Sequence, residues 1–190
     1  VLLRLIGKHD RIRTAPICEY LAGHEWLYAA GDAQHYDRGR ALFPADVLAW
    51  VQKTQPQAWA ALSKNHGAAA EATLLDRLRK SLDERGTLDV LRHGIELLGL
   101  RQPLQLAQFK PALAMNPDLM EKYQDNRLRV VRQVRYSLVC ENAIDLVLFL
   151  NGVPVATCEL KTDFTQSVQD AEDQYSSTVN RSRRGARSRC

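Results

Sequence analysis

Ile144-Asp145-Leu146-Val147-Leu148-Phe149-Leu150-Asn151-Gly152-Val153-Pro154-Val155-Ala156-Thr157-Cys158-Glu159-Leu160-Lys161 is the stretch on which the reading of this chain turns. Ile144 to Leu150 is an apolar run of strand length, interrupted only by Asp145. Asn151-Gly152 follows, the strongest hairpin signal in the chain, because both residue types tolerate the positive φ of a tight hairpin turn. The return strand is expected over Val155–Lys161, with Pro154 tolerable only at its start, since proline cannot donate to a ladder. A carboxylate inside an apolar strand costs several kcal/mol unless something positive meets it. Asp145 is such a residue, and Glu159 and Lys161 repeat the anomaly two positions apart, on one face of the pleat.

Register decides whether these three side chains meet. A plain two-residue turn pairs Leu150 with Val153, sets Asp145 against Cys158 and sends Glu159 to the other face. A three-residue loop, Asn151-Gly152-Val153, or an equivalent bulge pairs Asp145 with Glu159, and that register is the one expected here. Two carboxylates about 5 Å apart repel by about 3 kcal/mol at an effective dielectric near 20, so a cation must offset them. Oxygen-only ligands suit Mg2+ or Mn2+, whose natural work at such a site is to polarise a phosphodiester and hold a hydroxide. Lys161 then stabilises charge on the scissile phosphate or orients the attacking water. The pattern of an Asp followed by Glu-x-Lys is short, and an ordinary edge strand with solvated Glu159 and Lys161 fits it as well.

Working outward, Leu128 to Tyr136 carries Val130, Val131, Val134 and Tyr136 between arginines and reads as a further strand. From Pro16 to Gly99 the apolar residues recur at helical spacing. Ile17, Tyr20, Leu21 and Trp26-Leu27 suggest one helix; Pro44 opens a second and Pro56 a third. Ala68 to Glu84 carries a stripe of Leu74, Leu75, Leu78 and Leu82 and stops at Gly86, after which Thr87 caps a helix from Leu88 to Leu98. Residues 100–126, holding Pro103, Pro111 and Pro117, read as irregular, and Gln166 to Thr178 as a last helix. The expected fold class is therefore α+β, a helical N-terminal half followed by a small mixed sheet with an acidic hairpin. One domain is expected over 1–180, with 16–99 mainly helical, 128–161 sheet and 166–178 helix, ahead of a disordered basic tail over 181–190.

The 190 residues, 45% hydrophobic and 25% charged, have the composition of a soluble globular chain, and no apolar run reaches the roughly 20 residues of a bilayer span. The net charge of +4 is no general signal for nucleic acid. Five of its positives, Arg181, Arg183, Arg184, Arg187 and Arg189, lie in the tail, so residues 1–180 net to −1. Cys18, Cys140, Cys158 and Cys190 are scattered without a Cys-x-x-Cys pair, and no histidines have zinc-site spacing, so a reduced, cytoplasmic protein is expected. The absence of an initiator Met marks Val1 as a non-standard start or the edge of a fragment.

Asp145 to Thr162, followed by Gln166-Ser167-Val168-Gln169-Asp170-Ala171, resembles the restriction (R) subunit of type I restriction-modification enzymes. So do Tyr36-Asp37-Arg38, Thr54-Gln55-Pro56-Gln57-Ala58-Trp59 and Arg85-Gly86-Thr87-Leu88-Asp89-Val90-Leu91-Arg92-His93-Gly94. The resemblance implies a PD-(D/E)xK endonuclease core with Asp145, Glu159 and Lys161 as the catalytic set and Asp145 and Glu159 as ligands of Mg2+ or Mn2+. It further implies double-stranded DNA as substrate, methyltransferase and specificity subunits as partners, and Gln174 and Tyr175 as DNA contacts. Thr14 stands where the family has an acidic residue in its first helix, with Glu19 one turn away, and Gln174 is followed by Tyr175 rather than by a Tyr four places on. ATP belongs to the complete family enzyme; this chain has no Gly-x-x-x-x-Gly-Lys-Ser/Thr, so it is expected to stop short of the translocase. The alternative function is a catalytically inactive, truncated remnant that only binds partner subunits or DNA.

Overall fold

A computed structural model describes residues 6–7, 14–112 and 116–162. The elements in chain order are β1 (Ile6–Gly7), α1 (Thr14–Ala22), α2 (Pro44–Thr54), α3 (Pro56–His66), α4 (Ala70–Arg85), α5 (Thr87–His93), α6 (Pro117–Gln124), β2 (Leu128–Arg135), β3 (Ala143–Leu150), β4 (Val153–Cys158) and β5 (Lys161–Thr162). The architecture is α+β: helices precede an antiparallel sheet of order β2-β3-β4, and β5 pairs separately with β1 in parallel.

Prolines at Pro44 and Pro56 open α2 and α3, as their missing N–H and fixed φ favour. Gly86, at φ +81, ends α4, whose Leu74, Leu75 and Leu78 are buried and whose Leu82 packs beside them. Ahead of the sheet, three expectations need correction. The first helix ends at Ala22; Trp26 lies beyond it, and Leu27 forms a parallel bridge to Arg129. The helix expected to reach Leu98 stops at His93, where Gly94 adopts φ +72 and Ile95 turns back to pair with Leu104. A Cβ on Gly94 would lie within 2.4 Å of the Leu104 carbonyl oxygen, so an ordinary residue could not make this turn. Residues 100–126, read as irregular, contain α6, whose Asn116 side chain accepts from the Asp118 and Leu119 amides ahead of Pro117. The helix expected over Gln166–Thr178 and the 181–190 tail lie outside the described residues.

Apolar side chains of α2 to α5, with Ile95, Leu104, Leu106 and Val153, make the helical core. One sheet face, Val131, Val134, Ile144, Val147 and Phe149, packs on Phe43. On the other face Val130, Leu146 and Cys158 meet Cys18 of α1.

The hairpin tip is the joint between the halves. Asn151 and Gly152 have φ +49 and +80, and the turn is wholly buried rather than solvated. The Asn151 side chain accepts from the Arg127 amide at 2.7 Å and donates to Leu106 O at 2.9 Å and Asn126 Oδ1 at 2.8 Å. Gly152 O accepts from the Phe43 amide at the start of α2, and a Cβ at 152 would come within 2.4 Å of Phe43 O and 2.6 Å of Val47 Cγ2. Gly152→Ala is therefore expected to cost at least about 2 kcal/mol, from the positive φ and the backbone overlap together. A urea melt within about 0.5 kcal/mol of the wild type would show that α2 does not seat on this turn.

The second joint is ionic. Asp46 on α2 is fully buried, and its carboxylate accepts from Arg127 Nε at 2.9 Å and from Arg129 Nε at 2.6 Å and Nη2 at 3.1 Å. Arg129 also donates to Asp32 at 2.7 Å and lies 4.2 Å over the Phe43 ring. Burial works against the Arg129 charge, but its bonds to Asp46 and Asp32 outweigh that and raise its pKa, so the cation is held.

Candidate active site on the acidic hairpin

The one-residue register shift expected of the hairpin is produced by a bulge, not by a longer loop. Leu150 pairs with Val153 across a two-residue turn, and Phe149 with Pro154. Leu148 then pairs with Ala156, leaving Val155 as the extra residue, so that Val147 faces Thr157 and Leu146 faces Cys158. Pro154, unable to donate, sits beside the irregularity, where a missing ladder bond costs least. The ladder ends at that pair, its register shifted by one residue, the offset at which Asp145 would next meet Glu159. Without the extra residue Asp145 would have faced Cys158.

β4 ends at Cys158, short of the Lys161 expected for the return strand, and the chain past it bends over Asp145. The Leu160 amide donates to Asp145 Oδ2 at 2.8 Å. The carboxylate is thus tied to the backbone midway between Glu159 and Lys161. Gln133 of β2 donates through Nε2 to Asp145 Oδ1 at 3.1 Å. Asp145 and Glu159 are both half-buried, open enough to meet a ligand. Lys161 opens β5, with its backbone paired to Ile6. The side chain of Lys161, along with Gln174 and Tyr175, lies outside what is described.

Thr14 and Glu19 both belong to α1, as its first residue and as an exposed residue of its second turn. On the same helix Cys18 is buried and free, and burial pushes its thiol pKa up, against a smaller lowering by Arg132. It packs against Val130, Leu146 and Cys158 of the sheet. Among the described residues no three His, Cys, Asp or Glu side chains gather as a metal cage. The donors nonetheless fit a hard cation. Each Asp145 oxygen accepts one hydrogen bond and keeps a second lone pair, and Mg2+ binds through one or two carboxylates, with water and phosphate oxygens filling its other positions.

The family model for the N terminus of the type I restriction enzyme R protein matches residues 13–189. The chain belongs to this family. No curated protein and no solved structure matches it. The other stretches that resemble type I R subunits serve as joints of the fold. Asp37 accepts from the Arg40 amide and guanidinium, and Arg40 also reaches Asp76. Gln55 donates to Gln105 O at 2.8 Å and accepts from its amide at 2.9 Å, fixing the α2–α3 corner to the loop after Ile95. Sequence reasoning missed Gln133 because nothing in its local context marks a glutamine as the partner of a residue twelve positions on. Among the described residues no helix is long and apolar enough to cross a membrane.

Proposed function

We propose that this chain is the nuclease domain of a type I restriction enzyme R subunit, hydrolysing DNA phosphodiester bonds with Mg2+ (or Mn2+) held by Asp145 and Glu159 and with Lys161 assisting. Membership of the R protein N-terminal family gives the restriction context. The observation that carries the chemistry is the 2.8 Å bond from the Leu160 amide to Asp145, which ties that carboxylate to the Glu159-Leu160-Lys161 segment. The same juxtaposition supports reading the sheet as a PD-(D/E)xK core.

When bound, the ion supplies Lewis-acid polarisation of the phosphate and hydroxide at neutral pH. The protein's part is positioning and charge. Asp145 enters the site with its carboxylate already fixed by two donors, so little reorganisation accompanies ligation. Glu159 supplies the second carboxylate. Lys161 supplies the ammonium that stabilises charge growing on the phosphate oxygens. Hydrolysis adds one water across the P–O bond that breaks, the proton ending on the departing oxygen. Partners are the methyltransferase and specificity subunits, with ATP used by the complete enzyme.

Cutting should accordingly be a property of the assembled complex. In a complex reconstituted with the full-length R subunit, EDTA is expected to abolish cleavage while leaving DNA bound, and excess Mg2+ to restore it. Cleavage that persists in EDTA contradicts the metal-dependent reading. A complex that assembles and binds DNA but never cuts, whatever metal is added, identifies the inactive remnant instead.

A further inference from the structure

Gln133 stands directly across the sheet from Asp145, between the pairs Arg132–Leu146 and Val134–Ile144. Its φ is +53, a left-handed conformation that costs a glutamine about 1 kcal/mol or more and that Gly or Asn would adopt more readily. The residue is exposed, so burial does not account for its identity. The sheet changes around it. Strict alternation from Val131 would send Val134 to the opposite face, yet Val131 and Val134 share one core with Ile144, Val147 and Phe149. Ile144 and Val147, their partners on β3, show the same spacing, so both strands change face at the level of Gln133. The Gln133 amide lies beside Asp145, 3.1 Å from Oδ1, while the Leu160 amide holds Oδ2.

We infer that Gln133 is a positioning residue for Asp145: its amide, working with the Leu160 N–H, locks the carboxylate in one orientation with a lone pair free on each oxygen for the cation. The cation half of this inference rests on the nuclease reading; the hold on Asp145 does not. A glutamine at a left-handed position is explained by what its side chain does, since for the backbone alone glycine is the better residue.

The test uses two variants of the full chain. Gln133→Met keeps the length and the backbone demand but removes the donor. Gln133→Gly removes both. Hydrogen exchange of the Leu160 amide is expected to accelerate roughly tenfold in each, as one member of the shared carboxylate bond is lost. The Gly variant should melt at or above the temperature of the Met variant, because it relieves the backbone. In the reconstituted complex the Mg2+ concentration for half-maximal cutting should rise roughly tenfold, with a much smaller change in rate at saturating Mg2+. Unchanged Leu160 exchange in Gln133→Met overturns the positioning role. Faster exchange in the variants, beside a wild type indifferent to Mg2+, upholds the hold on Asp145 and overturns the nuclease reading alone.

Discussion

Asp145→Ala is expected to reduce DNA cleavage by the reconstituted restriction complex by at least about 10^3-fold, because on the proposed function it removes a carboxylate that holds the metal. The fold should survive. Asp145 is half-buried and its two donors, the Gln133 amide and the Leu160 N–H, lie where water can replace it, so the stability change should stay near 1 kcal/mol. Asp145→Asn sharpens the result: it keeps the size and one acceptor but loses the charge, and should be nearly as inactive. Cutting within a few-fold of wild type by either variant removes Asp145 from the chemistry. Unfolding of both would place Asp145 among the structural residues instead.

The largest effect on stability is expected at Asp46. Its carboxylate is fully buried and receives three hydrogen bonds from two arginines, Arg127 and Arg129. Removing it strands positive charge at the junction of α2 and β2, with Asp32 left as an acceptor for Arg129 alone. Breaking a buried pair by deleting one partner costs about 3–5 kcal/mol, a large part of the 5–15 kcal/mol by which a typical domain is stable. Asp46→Ala should therefore shift the urea midpoint strongly, or leave the chain unfolded at 37 °C. Asp145 lies about 17 Å along β3 from the tip at Leu150, so the Asp46 and Asp145 effects should add. A loss below about 1 kcal/mol at Asp46 would mean that Arg127 and Arg129 find water as readily as they find the carboxylate.

What could be read from the sequence followed from local rules, and what could not depended on partners far along the chain. Asn151-Gly152 announced the turn because its two residues need little support at positive φ, but its burial under α2 is visible only once Phe43 and Val47 are beside it. The bulge at Val155 has no signature of its own in a run of Val, Ala and Thr; the adjacent Pro154 is a signal, and the demand that Asp145 meet Glu159 called for such an irregularity. Gln133 is harder still. Its only trace is the spacing of Val131 and Val134, three apart where a strand face repeats every two. Asp46 stands in the first turn of α2, a common place for an acid, and its partners, Arg127 and Arg129, lie 81 and 83 positions away. The short α6 was hidden by the prolines around it, although Asn116-Pro117 is itself a helix-start pair. The fold class was thus accessible from local rules, while the ion pairs that fix the hairpin in place were not.

Titration of Mg2+ into the full chain by calorimetry, with duplex DNA present and in parallel with Asp145→Ala, tests the central claim most directly. A saturable heat in the wild type that vanishes in the variant is the predicted result. Equal binding by both chains, or none by either, would contradict it.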